Sequence, residues 1–135
     1  MTPTTVARAF RQWMGANGFG TLTGPEANVY INNVPDDAPD NSWWIVTGGG
    51  DVNELLVTKE SIQQFVVQVF YRDKSGEVVE HDLFALNQRV NKRGWKELEG
   101  FDLYSIQADM PEDNDKDVEN RPQGTLSVAI QIYVS

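Results

Sequence analysis

Asp113, Asp115 and Asp117 stand two residues apart in a run that holds six acids between Asp109 and Glu119. That spacing is shared with the first, third and fifth positions of a calcium-binding loop, whose oxygens converge on one ion. The pattern ends there. The sixth position requires glycine and holds Val118, and the twelfth requires glutamate and holds Gly124. The run reads as a solvated acidic loop and assigns no metal site, with weak binding of a divalent ion by the six acids as the alternative. Gly48-Gly49-Gly50 lacks the following Lys-Ser/Thr pair and the helix that a phosphate loop needs. Gly15, Gly18 and Gly20 do not have the order or the preceding strand of a dinucleotide fingerprint. These glycines read as turns.

Nucleophilic and acid–base chemistry has little to work with. Cysteine is absent, which removes thiolate nucleophiles, disulfides and the common structural zinc sites. His81 is the only histidine, so His-based triads and two-histidine metal motifs are excluded by count. It falls in a predicted helix and reads as a surface residue. None of Ser42, Ser61, Ser75, Ser105, Ser127 and Ser135 sits in a nucleophile elbow. The twenty acids show no pair singled out by spacing. No catalytic residue and no cofactor is assigned. Two groups are better suited to contact than to catalysis. Trp43 and Trp44 begin a strand, where neighbours point to opposite faces, so one indole enters the core and the other lies outward or at an edge, open to ordinary packing or to a role as an interface anchor. Arg89, Lys92, Arg93 and Lys96 gather around Trp95 at the end of a helix, as one local basic patch. Trp43, Trp44, Arg89, Lys92, Arg93 and Trp95 are therefore the candidate subunit or partner interface.

The elements that must hold these residues follow from periodicity. Thr2-Pro3-Thr4-Thr5 is a helix start, and Val6, Phe10, Trp13 and Met14 recur at helical spacing, which predicts a helix over 4–16. Residues 27–32 read as a short strand. The segment 32–42, with Pro35, Pro39 and three aspartates, reads as a loop. Residues 43–47 form the next strand, which the triple glycine is expected to break, and 51–61 stay ambiguous around Leu55-Leu56-Val57. Residues 61–71 alternate, with Phe65, Val67, Val69 and Tyr71 on one face and Val66 and Phe70 on the other. Val79, Leu83, Leu86 and Val90 predict a second amphipathic helix over 77–92, acidic at its start and basic at its end, as the helix dipole favours. Residues 102–109 predict a strand with Tyr104, Ile106 and Ala108 on one face. Residues 110–123 form a second long loop. In the last segment Leu126, Val128, Ile130, Ile132 and Val134 alternate strictly with smaller or polar residues, the pattern of a strand buried on one side.

The chain of 135 residues suits one domain, 1–135, of α+β class: a mainly antiparallel sheet of about 4–6 strands with two helices packed on one face. With 40% apolar and 23% charged residues it is ordinarily globular, which excludes fibrous and wholly disordered readings. No secretory leader and no membrane-length apolar run is visible, so the expectation is a soluble chain made in a cytoplasm, without a membrane partner. The net charge of −9 opposes sequence-independent binding to nucleic acid.

The layout resembles that of the tail terminator (tail completion, or minor tail) proteins of long-tailed bacteriophages. Three stretches carry the resemblance. They are the helix VARAFRQWM followed by a strand and a Pro/Asp loop; the strand IQQFVVQVFYRD leading to the helix VVEHDLFALNQRV and Lys92-Arg93-Gly94; and the closing pair from Asp102 to Ser135. Trp43-Trp44 and the triple glycine have no counterpart in that layout. The resemblance implies a non-enzymatic virion protein at the head–tail junction, synthesised in the host cytoplasm. Its partners would be copies of itself in a homohexameric ring, the tail tube protein and the head-completion or connector protein, with DNA only as passing cargo. Two alternatives remain at this point. One is another tail or neck part, a tube subunit or connector adaptor. The other is a cone-like α+β domain that binds a small ligand or acts as an enzyme.

Overall fold

The structure, a computed structural model, describes residues 2–55, 60–92 and 94–134, with side chains described except at 48–55, 60, 61 and 134. Helix α1 (Pro3–Ala16) opens on a reciprocal cap. The Thr5 backbone N–H donates to Thr2 Oγ1 at 3.2 Å, and the Thr2 N–H donates to Thr5 Oγ1 at 2.9 Å, so two donors that a helix start leaves orphaned are satisfied. Strand β1 (Val29–Ile31) is short, and β2 (Ser42–Leu55) and β3 (Glu60–Arg72) form a long antiparallel hairpin. Helix α2 (Gly76–Val90) is followed by β4 (Glu97–Leu98), β5 (Phe101–Ala108), β6 (Glu112–Asn114) and β7 (Gln123–Val134). No helix among the described residues is long and apolar enough to cross a membrane.

The strands make one mixed sheet in the order β1-β2-β3-β7-β5-β4, with β6 also paired to β7. Among the described residues only the β1–β2 pair is parallel. Both helices lie on one face. The apolar stripe of α1 (Val6, Phe10, Met14) and that of α2 (Val79, Leu83, Leu86, Val90) meet the inward residues of three central strands: Trp43 and Ile45, Phe65 to Tyr71, and Leu126 to Ile132. This is the α+β architecture that the alternation and helical spacing predicted. The terminal strand supplies its centre: Leu126, Val128 and Ile130 are fully buried.

Four local expectations need correction. The triple glycine does not break β2. The strand continues to Leu55, and the glycines coincide with a shift of register between Thr47 and Gly50. A bulge of this kind adds twist without ending the ladder, and glycine tolerates it. Tyr104 does not share a face with Ile106. Leu103 pairs with Ile132 and Ser105 with Gln131, so Tyr104 is an extra residue in β5 and the alternation restarts after it. Leu103 is buried while Tyr104 is 48% exposed. The 110–123 segment is not wholly loop, because β6 pairs Glu112 to Asn114 with Thr125 to Gln123. The first strand contracts to Val29–Ile31, because Asn32 turns to φ +65°. Leu56 and Val57 lie outside the described residues.

Candidate assembly surface

The face of the sheet opposite the helices carries aromatic side chains at both ends. At one end Tyr30, Trp44 and Phe70 stand side by side on β1, β2 and β3, each half-buried. Strand pairing brings registered side chains onto the same face, and Trp44 stacks on Phe70 with ring centroids 5.3 Å apart and planes within 6°. At the other end Tyr104 meets Tyr133 edge to face at 5.5 Å. The β5 bulge puts Tyr104 there. Between the two ends runs a polar chain. Gln131 Nε2 donates to Gln64 Oε1 at 2.8 Å, and Ser105 Oγ donates to Gln131 Oε1 at 2.7 Å. Aromatic side chains of this kind are enriched at protein–protein contacts relative to the rest of a protein surface.

The two long loops meet beside the first aromatic row. Arg121 Nε donates to Asp117 Oδ2 at 2.8 Å, one of its terminal nitrogens reaches Asp40 Oδ1 at 3.0 Å, and the other reaches Glu119 Oε2 at 2.9 Å. Lys74 adds a contact to the second Asp40 oxygen at 3.3 Å. Arg72, at the end of β3, donates to the carbonyl oxygens of Pro39 and Asp40 at 3.2 and 3.3 Å. Asp117 also accepts the backbone N–H groups of Glu119 and Arg121, which shapes the turn that Asn120 completes at φ +63°. Hydrogen bonds from Arg121 and then Lys74 hold the Asp40 carboxyl below its ordinary range. For Asp117 burial pushes upward, but the backbone and side-chain donors of Arg121 prevail, and its carboxyl too is lowered. So the third acid of the calcium-like series is committed to an internal arginine. Among the described residues no group of three or more His, Asp or Glu stands together as a metal site.

The residues nominated from sequence separate into three places. Trp43 is buried on the helix side and stacks on Tyr71 at 4.0 Å, while Trp44 points to the open face. Trp95 is half-buried against Trp13 at 4.8 Å and donates its indole N–H to the Val90 carbonyl at 3.0 Å. The Arg89 guanidinium lies 5.9 Å from the Trp13 ring centre and donates to Asn17 Oδ1 at 2.8 Å, so Arg89 and Trp95 are brought together on Trp13 and bind the two helix ends to each other. Lys92 is exposed just past α2, and Arg93 lies outside the described residues. His81 is on the surface, with its side chain 81% exposed beside Asp82. Sequence reasoning passed over Tyr30, Phe70, Tyr133 and Arg121. Arg121 did leave a signal: after Lys96 the only cations are Lys116 and Arg121. A lone arginine closing an acidic run marks a pairing centre.

With this geometry in hand, the chain can be set beside known proteins. No protein-family model and no curated protein matches it. Its fold resembles a chain of a solved virion. That structure is the virion of a native gene transfer agent particle, superposed with a TM-score of 0.55 over 96% of this chain and 92% of that one. The sequences are 14% identical, so the likeness is one of fold. It extends over nearly the full length of both chains.

Proposed function

We propose that this chain is a structural protein of a phage-like virion, and that within the particle it forms the ring that closes the tail tube and presents a surface to the head-joining protein. The observation that carries the reading is the end-to-end fold likeness to a chain of a virion particle. The open sheet face supports it. Tyr104 and Tyr133 are 48% and 38% exposed, and large aromatics on a helix-free face suit burial between subunits. The role is non-enzymatic. The chain acts by blocking further stacking of tube subunits and by giving the head side a complementary face. Its partners are copies of itself in a hexameric ring, the tube protein and a head-completion protein, and its place is the head–tail junction. A closed ring has heterologous contacts, so the surfaces a subunit offers to its two neighbours differ. The net charge of −9 keeps passing DNA from adhering to the lumen.

Light scattering after size exclusion, over a range of concentrations, tests this. The expected result is a discrete species of about six 15.2 kDa chains, seen as rings by electron microscopy. Open-ended tubes would identify a tube subunit instead. A chain that stays monomeric alone but caps purified tube ends retains the reading. One that does neither overturns it.

A further inference from the structure

Strand β1 is an edge of the sheet, and the hydrogen-bonding groups it leaves over are donors. The Asn28 carbonyl accepts the Trp43 N–H at 2.8 Å, and the Asn32 N–H donates to the Ile45 carbonyl at 2.8 Å. The even-numbered residues therefore bond to β2, and Val29 and Ile31 turn their N–H and C=O groups outward. Both outward carbonyls are taken. Val29 O accepts Arg11 Nε at 2.9 Å, and Ile31 O accepts the Asn33 N–H at 2.8 Å. A newcomer meets the two N–H groups and the cations of α1. Arg8 and Arg11, with Gln12, line an open groove of about 340 Å³ along this edge. Among the described residues no acid lines the groove, and neither arginine has a carboxylate partner.

The far edge has the opposite charge. Strand register carries one row across the sheet, in which Val29, Trp43, Tyr71, Gly124 and Asp113 are paired in turn. So β6 ends the row that β1 begins, and Asp113 falls on the helix side as Val29 does. A depression of about 500 Å³ lies there between β6 and the start of α2. Glu77, Glu80 and Asp113 line it, and Lys116 is the one cation among its described residues. The three acids are exposed, and among the described residues none has an ion pair. One side of one sheet thus holds a basic recess over its first strand and an acidic recess over its last.

We propose that the α1–β1 groove receives the β6 edge of a second copy of this chain, with Arg8 set against Asp113 and Glu80 of that copy. A full strand ladder has no room to form, because the outward carbonyls of β1 are occupied. Carboxylates only accept, so they suit an edge that only donates, and a guanidinium is their strongest side-chain partner. Charge complementarity singles out the second copy. A chain of net −9 repels itself over most of its surface, and its basic groove is where an acidic edge is drawn in. The two recesses differ, so the contact is heterologous and repeats from copy to copy. The inference rests on the ring reading and names the two surfaces that a subunit presents to its neighbours.

Charge reversal at the two exposed positions tests this by sedimentation velocity on the full chain. The samples are the parent, Arg8→Glu, Asp113→Arg and an equal mixture of the two variants; where the parent assembles only on tube ends, capping is scored on the same set. Each variant alone is expected to lose assembly by at least about tenfold in apparent affinity. The mixture is expected to recover it, because the two altered edges match each other and so do the two intact ones. Recovery also shows that both variants are folded. Lys96→Glu and Asp102→Arg make the same charge changes at the other end of the sheet and should assemble as the parent does. Variants that assemble like the parent overturn the inference and leave the ring reading standing. A mixture that stays dissociated removes the second copy as the occupant and gives the groove to an acidic segment of another protein. A parent that neither assembles nor caps overturns the ring reading, and the inference with it.

Discussion

Arg121 shows how much organisation one side chain supplies at the residue scale. It is 15% exposed and contacts three carboxylates drawn from two loops that are about eighty positions apart in the chain. The consequence is a pH dependence whose sign is determined. Asp40 and Asp117 have folded-state carboxyls below the ordinary aspartate value of 3.8, so the folded chain binds fewer protons than the unfolded chain as pH falls through that value. Stability from the cluster is therefore fully present above about pH 4 and is lost as acid titrates the carboxyls toward their lower folded values. Urea midpoints measured from pH 7 to pH 3 should fall more steeply for the parent than for Asp40→Asn/Asp117→Asn. Parallel curves for the two proteins would show that the cluster contributes nothing.

At the scale of elements, the close approach of α2 to β7 depends on one missing side chain. Gly124 lies under the helix, and a Cβ there would sit 2.6 Å from Leu83 Cδ1, 3.2 Å from Val79 Cγ1 and 3.1 Å from the Glu112 carbonyl oxygen of β6. Leu83 can swing aside, but the β6 backbone cannot do so without releasing its pairing. Gly124→Ala is expected to cost about 1–3 kcal/mol, the usual range for an overpacked core site. Equilibrium unfolding in urea reads this, and an unchanged midpoint would mean that helix and loop adjust together. The strand beneath is less forgiving. Leu126 is fully buried at the centre of the sheet, and Leu126→Ala should cost about 2–5 kcal/mol, since a cavity is added to the lost transfer energy. A thermal shift within a degree or two of the parent would place the folding core elsewhere.

For the whole molecule, the two faces of the sheet divide the work. One is consumed by the helices. The other keeps Tyr104, Tyr133 and the Trp44–Phe70 stack, with the paired loops at one end. If the open face is where subunits meet, Tyr104→Ser/Tyr133→Ser should dissociate the oligomer, or abolish capping of tube ends, while shifting the thermal midpoint of the monomer only slightly. Side chains this exposed contribute little to the monomer's own core. Light scattering and thermal unfolding on the same samples separate the outcomes. Loss of stability without loss of assembly would assign the tyrosines to folding instead.

The sequence alone determined the helices, the long β3 strand, the terminal strand and the buried face of each. Those elements have sustained periods, and burial on one side is written directly into such a pattern, as at Val79 to Val90 and Leu126 to Ile132. It also determined the α+β class and set Trp43 and Trp44 on opposite faces, because neighbours in a strand must alternate. Only the tertiary structure decided that Gly48 to Gly50 continue a strand, that a bulge turns Tyr104 outward, and that β6 pairs with β7. Each of these depends on a partner strand that periodicity does not register. The same holds for the candidate surface. Arg89 and Trp95 read as free contact residues until Trp13 was placed beside them. Arg121 and Asp40 read as parts of separate loops until the fold closed the distance between them. A local pattern reports which way a side chain faces; what it meets there is set by contacts distant in sequence, which exist only once the sheet has assembled.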